Sequence, residues 1–324
     1  MRYGFGISAK GFSTQQGTLL KIVRHGEDLG FDFLTVSDHI IIPRNISSRY
    51  PYTVGGDFPS ASTGDYLEQI TLLSFVAGVT HRLRLVPSIM VIPHRSPVLT
   101  AKMLATLDVL SGGRVVLGAG SGWMEEEFNA LELPPFEERG AVTDEYLRAF
   151  KELWTKENPN FAGKYCQFSD ITFLPKPIQK PHIPIWIGGH SRRSLKRAAE
   201  LGNGWHPIVG NPADPLEPDQ IVEELGLLKR YAGEAGRKLS DIELIIKASL
   251  YDQGKEAVPG KRRRFTGSAM EVADDISAYE KAGATSVSFD VRSSSAEGTL
   301  ERMEWLAGKV IPRVTSTPEW GRES

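Results

Sequence analysis

Residues 82–123, RLRLVPSIMVIPHRSPVLTAKMLATLDVLSGGRVVLGAGSGW, decide the fold. Leu83, Leu85, Val86, Ile89 and Val91 form an apolar, strand-like run that breaks at Pro93. Leu99, Met103, Leu104, Leu107 and Leu110 then recur at helical spacing, and Ser111-Gly112-Gly113 stops the helix. Val115, Val116 and Leu117 make a second run without polar alternation, as in a parallel strand covered on both faces. Gly118-Ala119-Gly120-Ser121-Gly122 is expected as a turn at its carboxyl end. The stretch is one βαβ unit ending in a functional loop.

The same alternation extends outward in both directions. Upstream, strand 3–7, helix 14–29 and strand 31–36 lead into Ser37-Asp38-His39, followed by an aperiodic loop over 44–64 and a helix over 65–79. Downstream come helices over 125–131 and 143–154. An aromatic and proline-rich stretch, 158–184, is expected as an inserted hairpin and extended segment. Strand 185–187 ends in Gly188-Gly189-His190-Ser191, and a helix over 192–201 follows at once. The remaining runs are strand 204–207, helix 219–235, strand 243–250, helix 270–282, strand 285–291 and helix 296–310. About eight strands alternating with helices imply a single α/β domain, a (β/α)8 TIM barrel. Its insertions are expected near 40–64, 157–183, 207–218 and 251–268.

Composition narrows the function classes. The chain has 324 residues, 40% of them hydrophobic, enough for a large core. A formal net charge of −2 argues against nucleic-acid or membrane binding, and the one charge run, Lys261-Arg262-Arg263-Arg264, reads as a solvated loop or, alternatively, as an attractor for an anionic cofactor tail. The single cysteine, Cys166, excludes an internal disulfide and is expected as a small buried or hairpin residue. No leader-like pattern opens the chain, so a soluble cytoplasmic protein is expected.

In such a barrel the loops after the strands build the active face. It would collect Asp38 and His39, Ser88 onward, Gly120 to Trp123, Gly188 to Ser191, and His206. His39 suits proton transfer near neutral pH, with Asp38 fixing its tautomer or bonding a ligand. A capping Asp beside a structural His is the alternative. Gly188-Gly189-His190-Ser191 places bare backbone before a helix, which suits a phosphate, with Ser191 and Arg192 adding donors; an ordinary capped turn is the alternative. Trp123, Trp186, Trp205 and His206 would line a pocket for a flat ring, or serve packing.

Together, Ser37-Asp38-His39, LGAGSGW at 117–123, PIWIGGHS at 184–191 and GNGWHP at 202–207 resemble the bacterial luciferase-like superfamily. Order and spacing match from YGFGI to the strand ending at Val291. The resemblance implies a flavin or deazaflavin at the carboxyl face, redox chemistry at its ring, and a homodimer. Within the superfamily the chain looks most like enzymes that use coenzyme F420, a phosphate-tailed deazaflavin. Asp38-His39 matches their Asp-His pair, in which the histidine assists proton movement. Gly188, Gly189, His190 and Ser191 match their phosphate loop. Ser88-Ile89 matches the strand bulge behind the ring, which implies a non-proline cis peptide there. Trp123 stands where the sugar-phosphate dehydrogenase branch has a glutamate, so that branch's general acid and substrate do not carry over.

The expected function is hydride transfer between coenzyme F420 and a small organic substrate, with His39 and Asp38 as catalytic residues. Asp38, Ser88, Ile89, Gly120, Ser121, Gly122, Gly188, Gly189, His190, Ser191 and Arg192 are expected to hold the cofactor. The alternatives are an FMN-dependent monooxygenase and a non-catalytic carrier. A metal-dependent hydrolase would need Asp38, His39, His190 and His206 to converge; no metal is expected.

Overall fold

The computed structural model describes residues 1–58, 65–211, 213–250 and 262–314. Parallel strands form a barrel. β1 (Arg2–Ile7) pairs with β2 (Phe33–Val36), and β2 with β3 (Arg84–Pro87). The third barrel strand breaks at Ser88-Ile89, a cis peptide as expected, and resumes as β4 (Met90–Val91), which pairs with β5 (Leu117–Gly120). A bridge between Leu85 and Val115 joins the barrel across that break. An antiparallel hairpin, β6 (Phe161–Ala162) and β7 (Gln167–Phe168), lies outside it. The barrel continues through β8 (Ile185–Gly188), β9 (Gly204–His206), β11 (Glu243–Ser249) and β12 (Ser286–Asp290), which returns to β1. The short β10 (Ile208–Val209) pairs with β11.

Helices cover the outside. They are α1 (Gln16–Asp28), α2 (Gln69–Ala77), α3 (Pro97–Leu110), α4 (Glu125–Ala130), α5 (Arg139–Thr155), α6 (Arg192–Leu201), α7 (Pro218–Glu234), α8 (Ala269–Lys281) and α9 (Ala296–Trp305). The α6 boundaries match the sequence reading because Ser191 caps the helix at Ser194 N. The expected 65–79 helix starts only at Gln69, where the Glu68 carboxylate accepts from Thr71 N. Cys166 is 7% exposed at the hairpin, as expected.

Two expectations need correction. Gly118, Ala119 and Gly120 belong to a strand, and the turn begins only at Ser121. The second concerns α3, where Leu104 and Leu107 are buried but Leu99 and Leu110 are 57% and 75% exposed. Thr100, Ala101 and Ala105 take the inward face instead, because small residues let α3 pack closely against α2 and α5.

The barrel interior changes character along its axis. Phe33, Val86, Val116, Trp186 and Ile245 form an inner apolar layer. Strand side chains alternate with a period of two, so the next inward positions are Thr35, Ser88, Gly118, Gly188 and Lys247. Each is polar or lacks a side chain. The layer therefore leaves space and donors at the carboxyl end, where a cavity of about 370 Å³ opens. That volume is in the usual range for a small-molecule site. Among the described residues, no helix is long and apolar enough to cross a membrane. Lys261 and residues 59–64, 212, 251–260 and 315–324 lie outside the described residues.

Candidate active site

His39 follows β2 and lines the cavity. Its Nδ1–H donates to Glu127 Oε2 at 2.8 Å, so its Nε2 is the ring nitrogen left for proton exchange. Glu127 is 1% exposed and is fixed from several sides. Its Oε1 accepts from Ile40 N at 2.8 Å and Ile41 N at 3.3 Å, and His94 Nδ1 lies 3.8 Å away. Burial holds the His94 pKa below the usual histidine value, although the neighbouring Glu127 and Asp38 charges oppose that shift.

Asp38 does not orient the imidazole, as sequence adjacency implied. The Arg95 guanidinium donates to its two oxygens at 2.7 and 2.8 Å, and Val91 N donates at 2.9 Å. Burial alone would raise the Asp38 pKa, but Arg95 outweighs it and holds the group below the ordinary carboxylate value. Glu68 binds the other side of Arg95 at 2.9 Å. The orienting partner, Glu127, escaped the sequence reading because it sits on α4, where Glu125-Glu126-Glu127 resembles an ordinary charged first turn.

Ile89 packs over two glycines on neighbouring strands. A Cβ on Gly120 would lie 1.6 Å from Ile89 Cδ1, and one on Gly188 would lie 2.7 Å from Ile89 Cγ2. Both glycines line the cavity, yet their first structural consequence is to admit Ile89. Beside them, His206 Nδ1–H donates to Ile245 O at 2.7 Å. Burial lowers the His206 pKa to about 4, so near neutral pH its Nε2 accepts from Ser88 Oγ at 3.0 Å. Lys247 donates to Ser88 O at 3.2 Å and Ser88 Oγ at 3.3 Å. Burial lowers its pKa to about 8 against the opposing pull of Asp290.

Arginines gather on another part of the wall. Gly188, Gly189, Ser191 and Ser194 line it with Arg139, Arg193 and Arg197, and Glu137 adds one carboxylate. Gly189 has φ +85°, the left-handed region that favours glycine. Arg197 pairs with Asp144 and donates to Gly140 O at 3.0 Å. Burial and the adjacent Arg193 charge lower the Arg139 pKa. These donors beside bare glycine backbone suit an anionic group. Two expected contributors do not line the cavity: His190 pairs with Asp214 at 2.6 Å, and Arg192 is exposed outside the lining. Arg193 and Arg197 replace them because one helical step changes which side chain faces the cavity.

Ser121, Gly122 and Trp123 also line the site, whereas Trp186 and Trp205 are buried beneath it. Asp38, His39, His190 and His206 have separate partners. Among the described residues, no three His, Cys, Asp or Glu side chains form a metal-binding group.

A parallel barrel with a buried His–Glu pair, a polar floor and an anion-suited wall defines an enzyme-like cofactor cavity. The chain belongs to the luciferase-like monooxygenase family, whose profile matches residues 5–295. It is 28% identical over 312 residues to an uncharacterised protein of Mycobacterium tuberculosis, covering 96% of this chain and 99% of that one. The FMNH(2)-dependent dimethylsulfone monooxygenase of Pseudomonas putida is 36% identical over 152 residues, 46% of this chain and 41% of that protein. The monooxygenase RslO1 of Streptomyces bottropensis has the same fold, with TM-score 0.78, 22% identity and coverage of 97% and 100%. So does the coenzyme F420 dependent tetrahydromethanopterin reductase of Methanopyrus kandleri, at TM-score 0.74 and 19% identity, covering 97% and 99%.

Proposed function

We propose that this protein is an oxidoreductase that transfers a hydride between coenzyme F420 and a small organic substrate, with His39 as the acid/base. The observation that carries the reading is His39 on the cavity wall, its Nδ1 held by Glu127. Gly188, Gly189, Ser191, Arg139, Arg193 and Arg197 would hold the cofactor's anionic tail, and Ser88 with Ile89 would support its ring. The bound deazaflavin would supply a two-electron hydride donor or acceptor, while the protein supplies orientation and proton movement. Arg139 and Arg193 make no ion pair among the described residues, which favours a tail with several negative charges. The F420-dependent reductase among the fold relatives agrees with this reading.

A second reading, an FMN-dependent monooxygenase, is favoured by the relative that uses FMNH(2). Spectral titration with each cofactor separates the two. Binding of coenzyme F420 followed by substrate-dependent oxidation or reduction supports the first, and tight FMN binding with none for F420 overturns it. The proposal includes a cytoplasmic homodimer; sedimentation equilibrium yielding only monomer would remove the dimer.

A further inference from the structure

The cavity also has an aromatic wall and a buried lysine, Lys247. Tyr50, Tyr52, Trp123 and His39 line it. Tyr50 and Trp123 have ring centroids 5.0 Å apart, and Tyr50 and Tyr52 are 5.3 Å apart. Phe58 braces this wall at 5.2 Å from both Tyr50 and Trp123 and 5.1 Å from His39. The supporting loop is pinned to α4: Glu126 Oε1 accepts from Ser47 N at 2.6 Å and Ser48 N at 2.9 Å, while Ser48 Oγ accepts from Glu125 N at 3.1 Å. The rings are therefore held in place, and those lining the cavity keep part of their surface open. Lys247 supplies a charged donor. An ammonium has three N–H donors, and Ser88 accepts from it at two oxygens, leaving capacity for a ligand oxygen.

We propose that the substrate is a planar aromatic compound bearing a carbonyl or other acceptor oxygen, its ring packed on the Tyr50–Trp123 wall and its oxygen bonded to Lys247. This rests on the reading of the cavity as the oxidoreductase active site, and it adds the substrate class and Lys247. Aromatic faces favour another π-system over a saturated ring of similar size, and a charged donor favours a carbonyl over a hydrocarbon. The groups acting on Lys247 are Asp290 and Arg292 at the end of β12, His206 on β9 and Ser88. His206 remains neutral above its pKa of about 4, and burial raises the Tyr50 pKa far above physiological pH. Lys247, at about 8, is thus the group among these that changes charge in mildly alkaline solution.

The test titrates acetophenone, cyclohexyl methyl ketone and ethylbenzene into the full chain, first without cofactor and then with coenzyme F420 added. Acetophenone should bind about tenfold tighter than either comparator. Trp123→Ala and Tyr50→Leu should remove its advantage over the saturated ketone. Lys247→Met should remove its advantage over ethylbenzene. Wild-type affinity for acetophenone should fall between pH 7 and pH 9.5, whereas the Lys247→Met variant should show no such fall. Equal binding of the three probes, or discrimination that survives these substitutions, would overturn the proposal. Because the probe titration also runs without cofactor, failure of F420 to bind would overturn the cofactor reading and leave the substrate-class result to be judged separately.

Discussion

His39 and Glu127 lie 88 residues apart in sequence and meet through an Nδ1–H···Oε2 hydrogen bond of 2.8 Å. The carboxylate fixes which imidazole nitrogen remains for chemistry, the role sequence adjacency gave to Asp38. His39→Ala should lower turnover about 10²–10⁴-fold with little change in cofactor affinity. Glu127→Gln should lower turnover by about 10²-fold, since an amide no longer stabilises a protonated imidazole. Nitrogen-15 NMR of the histidine ring reads the tautomer directly. Unchanged turnover in both variants would show that this pair takes no part in catalysis.

Glu127 also satisfies backbone. In Glu127→Ala the amides of Ile40 and Ile41 lose their acceptor, at a cost of about 1–3 kcal/mol for each group left buried and unpaired. Urea denaturation should show a lowered midpoint with little change in slope.

Asp38 and Arg95 predict an acid limb of stability. The folded Asp38 pKa is depressed, so its stabilisation is present above the unfolded value of about 3.9 and is lost as pH falls through the lower folded value. Asp38→Asn should destabilise the protein at pH 7 by about 1–3 kcal/mol, because the amide replaces the bidentate carboxylate while Glu68 still pairs with Arg95. The variant should lose less stability than wild type between pH 5 and pH 2 in thermal melts. Parallel curves for the two proteins would refute the assignment of that limb to Asp38.

The glycine positions separate packing from ligand binding. Gly120→Ala places a methyl group into Ile89 and should cost about 1–3 kcal/mol, and adding Ile89→Ala should recover part of that loss. Gly189→Asp combines a strained left-handed residue with a carboxylate at the arginine-lined wall. Its cofactor dissociation constant should rise about tenfold or more, with turnover at saturating cofactor much less affected. Double-mutant stability and spectral titration check the two expectations.

The alternation of apolar runs with helical periodicities determined the barrel and the limits of α6, because burial and capping leave local patterns in sequence. Asp38-His39 and Gly188-Gly189 were legible because each closes a strand at the barrel's carboxyl face, whereas the break at Ser88-Ile89 lies inside an apolar run and was implied only by the family resemblance. Which side chains meet there was decided only by tertiary structure. Glu127 reaches His39 from a helix after the fourth barrel strand, Arg95 takes Asp38, and Arg193 and Arg197 face the cavity where His190 and Arg192 had been expected. Lys247 reads locally as an interruption of a buried strand and acquires its depressed pKa only from burial in the assembled barrel. Hydrophobic periodicity is a property of neighbouring residues along a chain, whereas hydrogen-bond partnership and desolvation depend on distances between segments far apart in sequence.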